Sequence, residues 1–156
     1  MNHTADPTSP LVIDALQATD RAEWGVLAKA YKEFYKTEIP ESDYGAAFAR
    51  LLVGNGGQAW VARRDGRMIG IAHFLFHSSP WMADVCYLQD LYVEEAARGL
   101  GVAAALIERV AHSACARGAP RFYWTTQEGN VRARALYDRL AEYRGFVRYD
   151  YPVMMP

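Results

Sequence analysis

The chain has 156 residues, of which 51% are hydrophobic and 22% charged, and its formal net charge at pH 7 is −1. A chain of this length and apolar content can bury one core, so we expect a flexible lead-in over residues 1–10 and a single domain over residues 11–156. The near-zero net charge excludes a strong electrostatic footprint for nucleic acid or an anionic membrane. Because no apolar run is long enough to span a membrane and the N-terminus lacks the features of a signal peptide, we expect a cytoplasmic protein.

Hydrophobic periodicity and turn residues divide the chain into strands and helices. Asp20 and Glu23 have the spacing of a capping box, Ser42 is placed to cap a second helix, and Arg64-Asp65-Gly66-Arg67 has the composition of a hairpin turn. The pattern predicts strands over 11–17, 58–63, 68–76, 83–93, 121–126 and 146–153, and helices over 21–35, 42–52, 102–117 and from Asn130 onward. This order predicts an α/β fold with a mixed sheet.

The most informative segment is Arg98-Gly99-Leu100-Gly101-Val102-Ala103, which follows a predicted strand and opens an Ala-rich helical pattern. Two glycines allow a ligand to approach the main chain closely, and the first amides of a helix have no intrahelical acceptor. These amides and the helix dipole together favour an anion. We therefore predict a phosphate or pyrophosphate site at this turn.

Other glycine-rich phosphate motifs fit the segment less well. A P-loop requires Lys and Ser or Thr after its last glycine, where this chain has Val102-Ala103-Ala104. The dinucleotide pattern G-x-G-x-x-A is matched from Gly99 to Ala104, but a dinucleotide domain begins with this turn, whereas nearly a hundred residues precede it here. The sequence of the turn alone also allows a simpler interpretation, in which the turn only connects a strand to a helix and binds no ligand.

The segment Arg98-x-x-Gly101-x-Ala103 resembles the R/Q-x-x-G-x-G/A motif of the GNAT superfamily of acyl-CoA-dependent N-acetyltransferases. Two further segments match in the same order, Leu91-Tyr92-Val93 on the strand before the motif and Asn130 to Tyr137 as the N-x-x-A-x-x-L-Y helix. The likeness is nearest to diamine and thialysine acetyltransferases and to fungal enzymes that act on histones, polyamines and D-amino acids. It implies a GNAT-type, mostly antiparallel sheet flanked by helices, with splayed central strands.

The resemblance also implies acetyl-CoA as co-substrate and assigns residues to it. The amides from Arg98 to Ala104 would bind the pyrophosphate, and the strand would pair with the pantetheine arm. The N–H of Leu91 would stabilise negative charge on the carbonyl oxygen, and Tyr137 would protonate the departing thiolate. The implied acetyl-CoA-binding residues are Leu91, Tyr92, Val93, Arg98, Gly99, Leu100, Gly101, Val102, Ala103, Ala104, Asn130 and Tyr137, and the implied amine-binding residues are Trp81, Gln89 and Asp90.

The chain departs from the polyamine enzymes at two acidic positions. Gln89 stands where those enzymes carry a Glu before Asp90, and Ser79 stands where they carry an Asp. An amide cannot accept the proton that an alkyl ammonium must lose before it attacks a thioester. The catalytic candidates are Tyr137, Asp90 and Gln89. The identity of the general base stays open: a chain of water molecules could carry the proton to Asp90, to His73 or to main-chain carbonyls. Acidic residues on or near the first two helices, Glu33, Glu38, Glu41 and Asp43, are candidates to replace the missing charges.

The predicted activity is direct acetyl transfer to a primary amine of a small molecule, such as an amino acid or a diamine. A protein lysine or N-terminus as acceptor, and a catalytically weak acyl-CoA-binding regulatory module, remain alternatives. No His or Cys pair has metal-ligand spacing, so no metal is expected, and Cys86 and Cys115 are expected to be small buried residues. The resemblance further implies a homodimer, with residues 146–153 a candidate for strand exchange or edge contact. No nucleic acid or membrane partner is expected.

Overall fold

The computed structural model describes residues 6, 8–54 and 56–156. Internal contacts divide the chain into two compact units, one that ends at Thr125 and one over Thr126–Pro156. The first unit contains, in chain order, β1 Val12–Ala15, α1 Arg21–Phe34, α2 Glu41–Val53, β2 Gln58–Arg64, β3 Arg67–His77, β4 Val85–Val93, α3 Val102–Ala116 and β5 Phe122–Tyr123. The second contains α4 Val131–Leu140. None of the helices in the described part of the chain has the length and apolarity needed to cross a membrane.

The sheet has five strands in the order β1-β2-β3-β4-β5. The first four strands pair in antiparallel fashion, and β5 pairs with β4 in parallel. The predicted hairpin between β2 and β3 is confirmed, because its two central residues, Asp65 and Gly66, have φ angles of 49° and 75°. Positive φ at both central positions is what a two-residue turn needs to match the twist of its strands. The predicted α/β fold with a mostly antiparallel sheet is therefore confirmed.

Helices of the first unit pack on both faces of the sheet. On one face, Trp24 of α1 and Phe48 of α2 form a core with Ile71 of β3, and the ring centroids of Trp24 and Phe48 lie 5.3 Å apart. On the other face α3 approaches β3 at Gly70, where an added Cβ would lie 3.1 Å from Leu106 Cδ1. The absence of a side chain at Gly70 thus allows α3 to lie close to the sheet, next to the turn that precedes it.

The prediction of a closing strand over residues 146–153 is wrong for this structure. Residues 142–156 contain no helix or strand. The alternation of apolar residues in this segment predicts a strand only if a neighbouring strand supplies backbone hydrogen bonds, and none of the described strands pairs with it. The preceding strand is also shorter than predicted, since β5 has only two residues.

Two predicted helix starts need correction. The carboxylate of Asp20 does not cap α1; it accepts a hydrogen bond from the backbone N–H of Gln17 at 2.8 Å and forms an ion pair with Arg63. Glu23 likewise accepts from the N–H of Met68, on β3, and so does not complete a capping box. Helix α2 begins at Glu41 with Pro40 at its N-cap, so Ser42 lies inside the helix and not before it.

Two other predictions concern the N-terminal lead-in and the two cysteines. The predicted lead-in over residues 1–10 falls partly on residues 1–5 and 7, which lie outside the described residues. Cys86 is buried on β4 as predicted, and burial raises the pKa of its thiol to about 11, so it stays protonated at neutral pH. Cys115 is exposed on α3, which corrects the expectation that it is buried.

Candidate active site

Strand β5 is short and pairs with only the first part of β4. Only Cys86 and Tyr87 of β4 pair with β5, whereas β4 continues to Val93. On that side, no described strand covers β4 beyond Tyr87. Unpaired backbone groups at a strand edge can pair with an extended ligand. The open edge from Leu88 to Val93 is therefore suited to an arm that carries amide groups.

A bulge at Gln89 sets which backbone groups face this edge. His73 pairs with Asp90 and Phe74 pairs with Leu88, so Gln89 is an extra residue in β4. Before the bulge, Cys86 N–H donates toward β5, to Arg121 O at 2.9 Å. Without the extra residue, alternation would turn the N–H of Leu91 toward β3.

Beyond the bulge the alternation is reversed. Glu94 N–H donates to Ile69 O at 3.0 Å, so Glu94 faces β3, and by alternation so does Tyr92. Leu91 and Val93, one residue out of step with them, point their backbone groups to the open edge. These are the two residues that the family resemblance assigns to pairing with pantetheine.

The glycine turn follows β4 after one 3₁₀ turn, Glu95–Ala97. Gly99 and Gly101 have φ angles of 80° and 77°, and an added Cβ at either glycine would meet nothing within 4 Å. Gly101 is the N-cap residue of α3, and no side chain caps the first amides of this helix. Open space in front of uncapped amides is what a pyrophosphate needs. The segment therefore fits the phosphate group predicted for it.

Arg98 holds the turn against β4 through its side chain. Its Nε donates to Val93 O at 3.0 Å, and its guanidinium carbon lies 5.7 Å from the ring centroid of Tyr92. The turn is also held by Arg64, which donates to Leu100 O at 3.4 Å. Because these contacts join the turn to β4 and to β2, the amides of α3 are held in a fixed position relative to the open edge.

A cavity of about 450 Å³ lies between α1, α2 and the strands β3 and β4. Gln89 and Asp90 both line it, although successive residues of a regular strand point to opposite faces. The bulge accounts for this, since it re-aims one side chain. The cavity therefore adjoins the open edge of β4 at the residues predicted to bind the amine.

Asp90 is the most enclosed anion of this cavity. Its carboxylate accepts a hydrogen bond from His73 Nδ1 at 2.9 Å and another from the hydroxyl of Tyr31. Burial opposes ionisation, but the hydrogen bond from His73, followed by that from Tyr31 and the charge of Lys32, holds the pKa of Asp90 below its usual value. Asp90 is therefore a carboxylate at neutral pH.

His73 lies between two hydrogen-bond partners, Trp24 and Asp90. Trp24 donates its indole N–H to Nε2 at 2.9 Å, and an indole nitrogen can only donate. In this arrangement Nε2 accepts from Trp24 and Nδ1 donates to Asp90. Since Nε2 is occupied, His73 has no free lone pair for a substrate proton.

Tyr31 stays a phenol in this network. Burial and the neighbouring charge of Asp90 raise its pKa well above the usual value. Trp24 and Tyr31 lie on the same face of α1, seven residues apart, as helical periodicity requires. The sequence analysis missed both residues, because an aromatic stripe on an amphipathic helix is equally typical of a core.

Two cations that the sequence analysis also missed line the cavity. Lys32 lies on α1 and Arg50 on α2, and an acidic residue of α2, Asp43, lines the same cavity. A signal was available, since each cation falls on the apolar face of its helix, with Ala28 four residues before Lys32 and Ala47 three residues before Arg50. Of the acidic residues proposed to compensate for Gln89 and Ser79, Asp43 lines the cavity, whereas Glu41 pairs with Lys29 at 2.7 Å.

Trp81 lies apart from this group. Its side chain is 89% exposed in the segment between β3 and β4, and it does not line the cavity. The prediction that Trp81 borders the amine is therefore not supported by its position, because it lies outside the lining of this cavity. The structure brings together the other predicted residues of the first unit, which are Gln89, Asp90, Leu91, Tyr92, Val93 and the turn from Arg98 to Ala104.

In the second unit, Asn130 occupies the N-cap position of α4, as predicted, but makes no side-chain capping bond. Its amide donates to Thr126 Oγ1 at 3.3 Å. Tyr137 lies on α4, one turn from the end of the helix, and is half-buried. The described residues include no group of three or more His, Cys, Asp or Glu side chains placed to hold a metal ion.

The sequence matches the family model described as "Acetyltransferase (GNAT) family" over residues 24–143. The chain therefore belongs to the GNAT family of acetyltransferases, and it is an N-acetyltransferase that uses acetyl-CoA. It is similar to the D-amino-acid N-acetyltransferase HPA3 of Saccharomyces cerevisiae, at 38% identity over 84% of this chain and 84% of that protein. A thialysine N-epsilon-acetyltransferase of Sus scrofa is 33% identical over 47% of this chain, which spans 43% of that enzyme.

Solved structures share the fold over nearly the whole chain. The crystal structure of a probable acetyltransferase matches with a TM-score of 0.81 at 25% identity and covers 93% of this chain and 99% of its own. The aminoglycoside acetyltransferase AAC(6')-Iy, solved with a bisubstrate analogue of coenzyme A, matches with a TM-score of 0.82 at 20% identity, over 94% of this chain and all of its own. At that identity the second likeness concerns the fold alone.

Proposed function

We propose that the acceptor is the amino group of a free amino acid. The observation that carries this proposal is the charge pattern of the cavity beside the open edge of β4, which is lined by two acidic side chains, Asp90 and Asp43, and by two basic ones, Lys32 and Arg50. A zwitterion has both charges to match, whereas a polyamine has only positive ones. The likeness to a D-amino-acid N-acetyltransferase over most of both chains supports the same class of acceptor.

Acetyl-CoA supplies an acetyl group activated as a thioester, and the main chain of the first unit provides its binding groups. The uncapped amides of α3 are proposed to hold the pyrophosphate, and Leu91 and Val93 to pair with the pantetheine arm. The N–H of Leu91 then donates to the carbonyl oxygen, where negative charge develops. In the second unit, Asn130 is proposed to contact the arm, and the phenol of Tyr137 to give a proton to the leaving sulfur.

The ammonium of the substrate must lose a proton before it attacks. Gln89 has no basic group, and the lone pair of His73 Nε2 already accepts from Trp24. Asp90 has a low pKa and accepts hydrogen bonds from His73 and Tyr31, so it is suited to attract the ammonium and poorly suited to keep its proton. We therefore propose that water next to Gln89 carries the proton out of the cavity.

The proposal extends to the oligomeric state and the cellular location of the enzyme. We propose a cytoplasmic homodimer that works without a metal and without nucleic acid or membrane partners. The near-zero net charge of the chain supports the absence of partners recognised by charge alone. Equilibrium sedimentation of the purified protein, with and without acetyl-CoA, measures the oligomeric state directly.

The acceptor is tested by following thiol release from acetyl-CoA with a panel of amines. The panel contains D- and L-forms of methionine, thialysine, spermine and a lysine-containing peptide. We expect kcat/KM for at least one free amino acid to exceed the values for spermine and the peptide. A higher value for either of these two would contradict the proposed acceptor.

A further inference from the structure

We propose that Lys32 binds the carboxylate of the acceptor and so determines that the enzyme selects amino acids over simple amines. This inference rests on the proposed function and assigns the group that recognises its substrate. Lys32 lies on the cavity-facing side of α1 and is half-buried. Among the described residues, no carboxylate lies within ion-pair distance of its ammonium group, which lies 5.7 Å from the ring centroid of Tyr31.

A half-buried cation that faces a cavity without a direct ion-pair partner is costly for a protein to maintain. Two other cations of the first unit have direct partners: Lys29, on the same helix, pairs with Glu41 at 2.7 Å, and Arg63 pairs with Asp20. Asp90 interacts with Lys32 through its charge but does not lie within ion-pair distance of it, and its carboxylate accepts from His73 and Tyr31. The charge of Lys32 is therefore available to an anion that enters the cavity.

The position of Lys32 fits the shape of an amino acid. The acetyl group is transferred next to Leu91, so the attacking nitrogen must lie near Gln89 and Asp90 on β4. In an amino acid the carboxylate is attached to the carbon that bears the amine, so its counter-ion must lie close to the same residues. Lys32 is near enough to Asp90 for its charge to help lower the pKa of that carboxyl.

Arg50 is the other cation of the cavity, and it is less well placed for this carboxylate. Its stem lies beside Gly56, where an added Cβ would be 3.4 Å from Arg50 Cδ, at the end of α2 next to β2. Gly56 lies just before β2, and β3 separates β2 from β4 in the sheet. We therefore assign Arg50 to the part of the cavity that would receive the substrate's side chain.

The test compares an amino acid with its amide, which has the same amine and side chain but no carboxylate. We would measure kcat/KM for methionine and for methioninamide, in the enantiomer that the wild type prefers, with the wild type and with Lys32→Met. A charge-assisted hydrogen bond corresponds to a factor of about 10 to 100 in affinity. The ratio of the two kcat/KM values is expected to fall by about that factor, through KM for methionine, while kcat/KM for the amide changes little.

Matched variants separate recognition from folding. Lys32→Arg is expected to restore most of the ratio, and Lys29→Met, which removes a paired lysine from the same helix, is expected to leave it unchanged. If Lys32→Met does not fold, Lys32→Gln gives the same readout, with acetyl-CoA affinity as the measure of an intact enzyme. An unchanged ratio in a variant that binds acetyl-CoA would overturn the assignment.

The same data distinguish this assignment from the proposed function. A wild type that acetylates methionine and methioninamide equally well would overturn carboxylate recognition while leaving acetylation of amino acids in place. A wild type that acetylates none of the free amino acids of the panel, while acetylating spermine or the peptide, would overturn the proposed acceptor and the role of Lys32 together.

Discussion

Gly101 and Gly118 have nearly the same backbone conformation at opposite ends of α3, with φ angles of 77° and 73°, and both have open space where a Cβ would lie. A side chain at either position meets the same strain, which for a non-glycine residue is roughly 1 kcal/mol. The two differ in what faces them, since the uncapped amides lie only at Gly101. Comparing the same substitution at the two glycines therefore distinguishes an effect on ligand binding from an effect of backbone strain.

We predict that Gly101→Asp abolishes binding of acetyl-CoA. The substitution places a side chain and a negative charge where the pyrophosphate is expected. Gly118→Asp should lower the melting temperature by a similar amount and bind acetyl-CoA like the wild type. Isothermal calorimetry and thermal unfolding of both variants check this, and wild-type affinity in a folded Gly101→Asp protein would contradict the site.

Asp90 gives a prediction for stability against pH. Its pKa is lower in the folded protein than the value of about 3.9 expected for an unfolded chain. The ionised carboxylate therefore adds stability that is fully present above about pH 5 and is lost as the pH falls through the folded pKa. Asp90→Asn should lower the free energy of unfolding by about 1 to 3 kcal/mol at pH 7, and the difference from the wild type should shrink toward pH 3.

The control for this prediction is Asp84→Asn. Asp84 pairs with Arg117 at 2.8 Å, but both side chains are at least a third exposed. Such a pair contributes about 0 to 1 kcal/mol. Urea unfolding at pH 7 and at pH 3 gives both differences. A loss in Asp90→Asn that is the same at the two pH values would show that the charge of Asp90 does not contribute.

Local sequence signals predicted the parts of the fold that depend on few residues. The hairpin at Asp65-Gly66 and the helix that begins after Gly101 each follow from residues that tolerate positive φ. The closing strand over residues 146–153 failed because a strand also needs a partner, which alternation does not supply. The capping box at Asp20 failed for a similar reason, since the contacts of Asp20 with Gln17 and Arg63 depend on how the chain folds.

The parts of the candidate site that depend on backbone conformation or on a sequence motif could be predicted from the sequence. The motif pointed to Gln89 and Asp90, but it could not show that an extra residue at Gln89 turns both side chains into one cavity. That bulge depends on the register between β3 and β4, which tertiary packing sets. Tyr31 and Lys32 were missed because side chains on a helix face have no meaning for a site until the strand opposite them is known.

Tyr137 gives a third prediction, which concerns turnover. Tyr137→Phe removes only the hydroxyl proposed to give a proton to the leaving sulfur. Loss of a general acid lowers kcat by roughly 10²- to 10⁴-fold, and acetyl-CoA affinity should stay close to that of the wild type. Tyr143→Phe, which removes a hydroxyl from an exposed tyrosine of the same unit, should leave kcat unchanged. A Tyr137→Phe enzyme with near wild-type kcat at saturating amine would assign Tyr137 to packing.

The last prediction concerns the charge of the substrate. The enclosed carboxylate of the cavity, Asp90, already accepts hydrogen bonds from His73 and Tyr31, and Lys32 and Arg50 repel further cations. Additional ammonium groups of spermine would therefore be desolvated without enough anionic partners, which is costly. We expect kcat/KM for spermine to lie below that for a free amino acid in the wild type.

Gln89→Glu should reverse part of this preference, because it adds a carboxylate at the bulge where the amine is expected to bind. The ratio of kcat/KM for spermine to that for the amino acid should rise roughly 10-fold, as one charge-assisted contact predicts. Gln17→Glu adds the same charge next to β1, at the far edge of the sheet from β5, and should leave the ratio unchanged. Equal ratios in wild type and Gln89→Glu would show that position 89 does not face the substrate's charge, and Gln89 would then lose its place in the amine site.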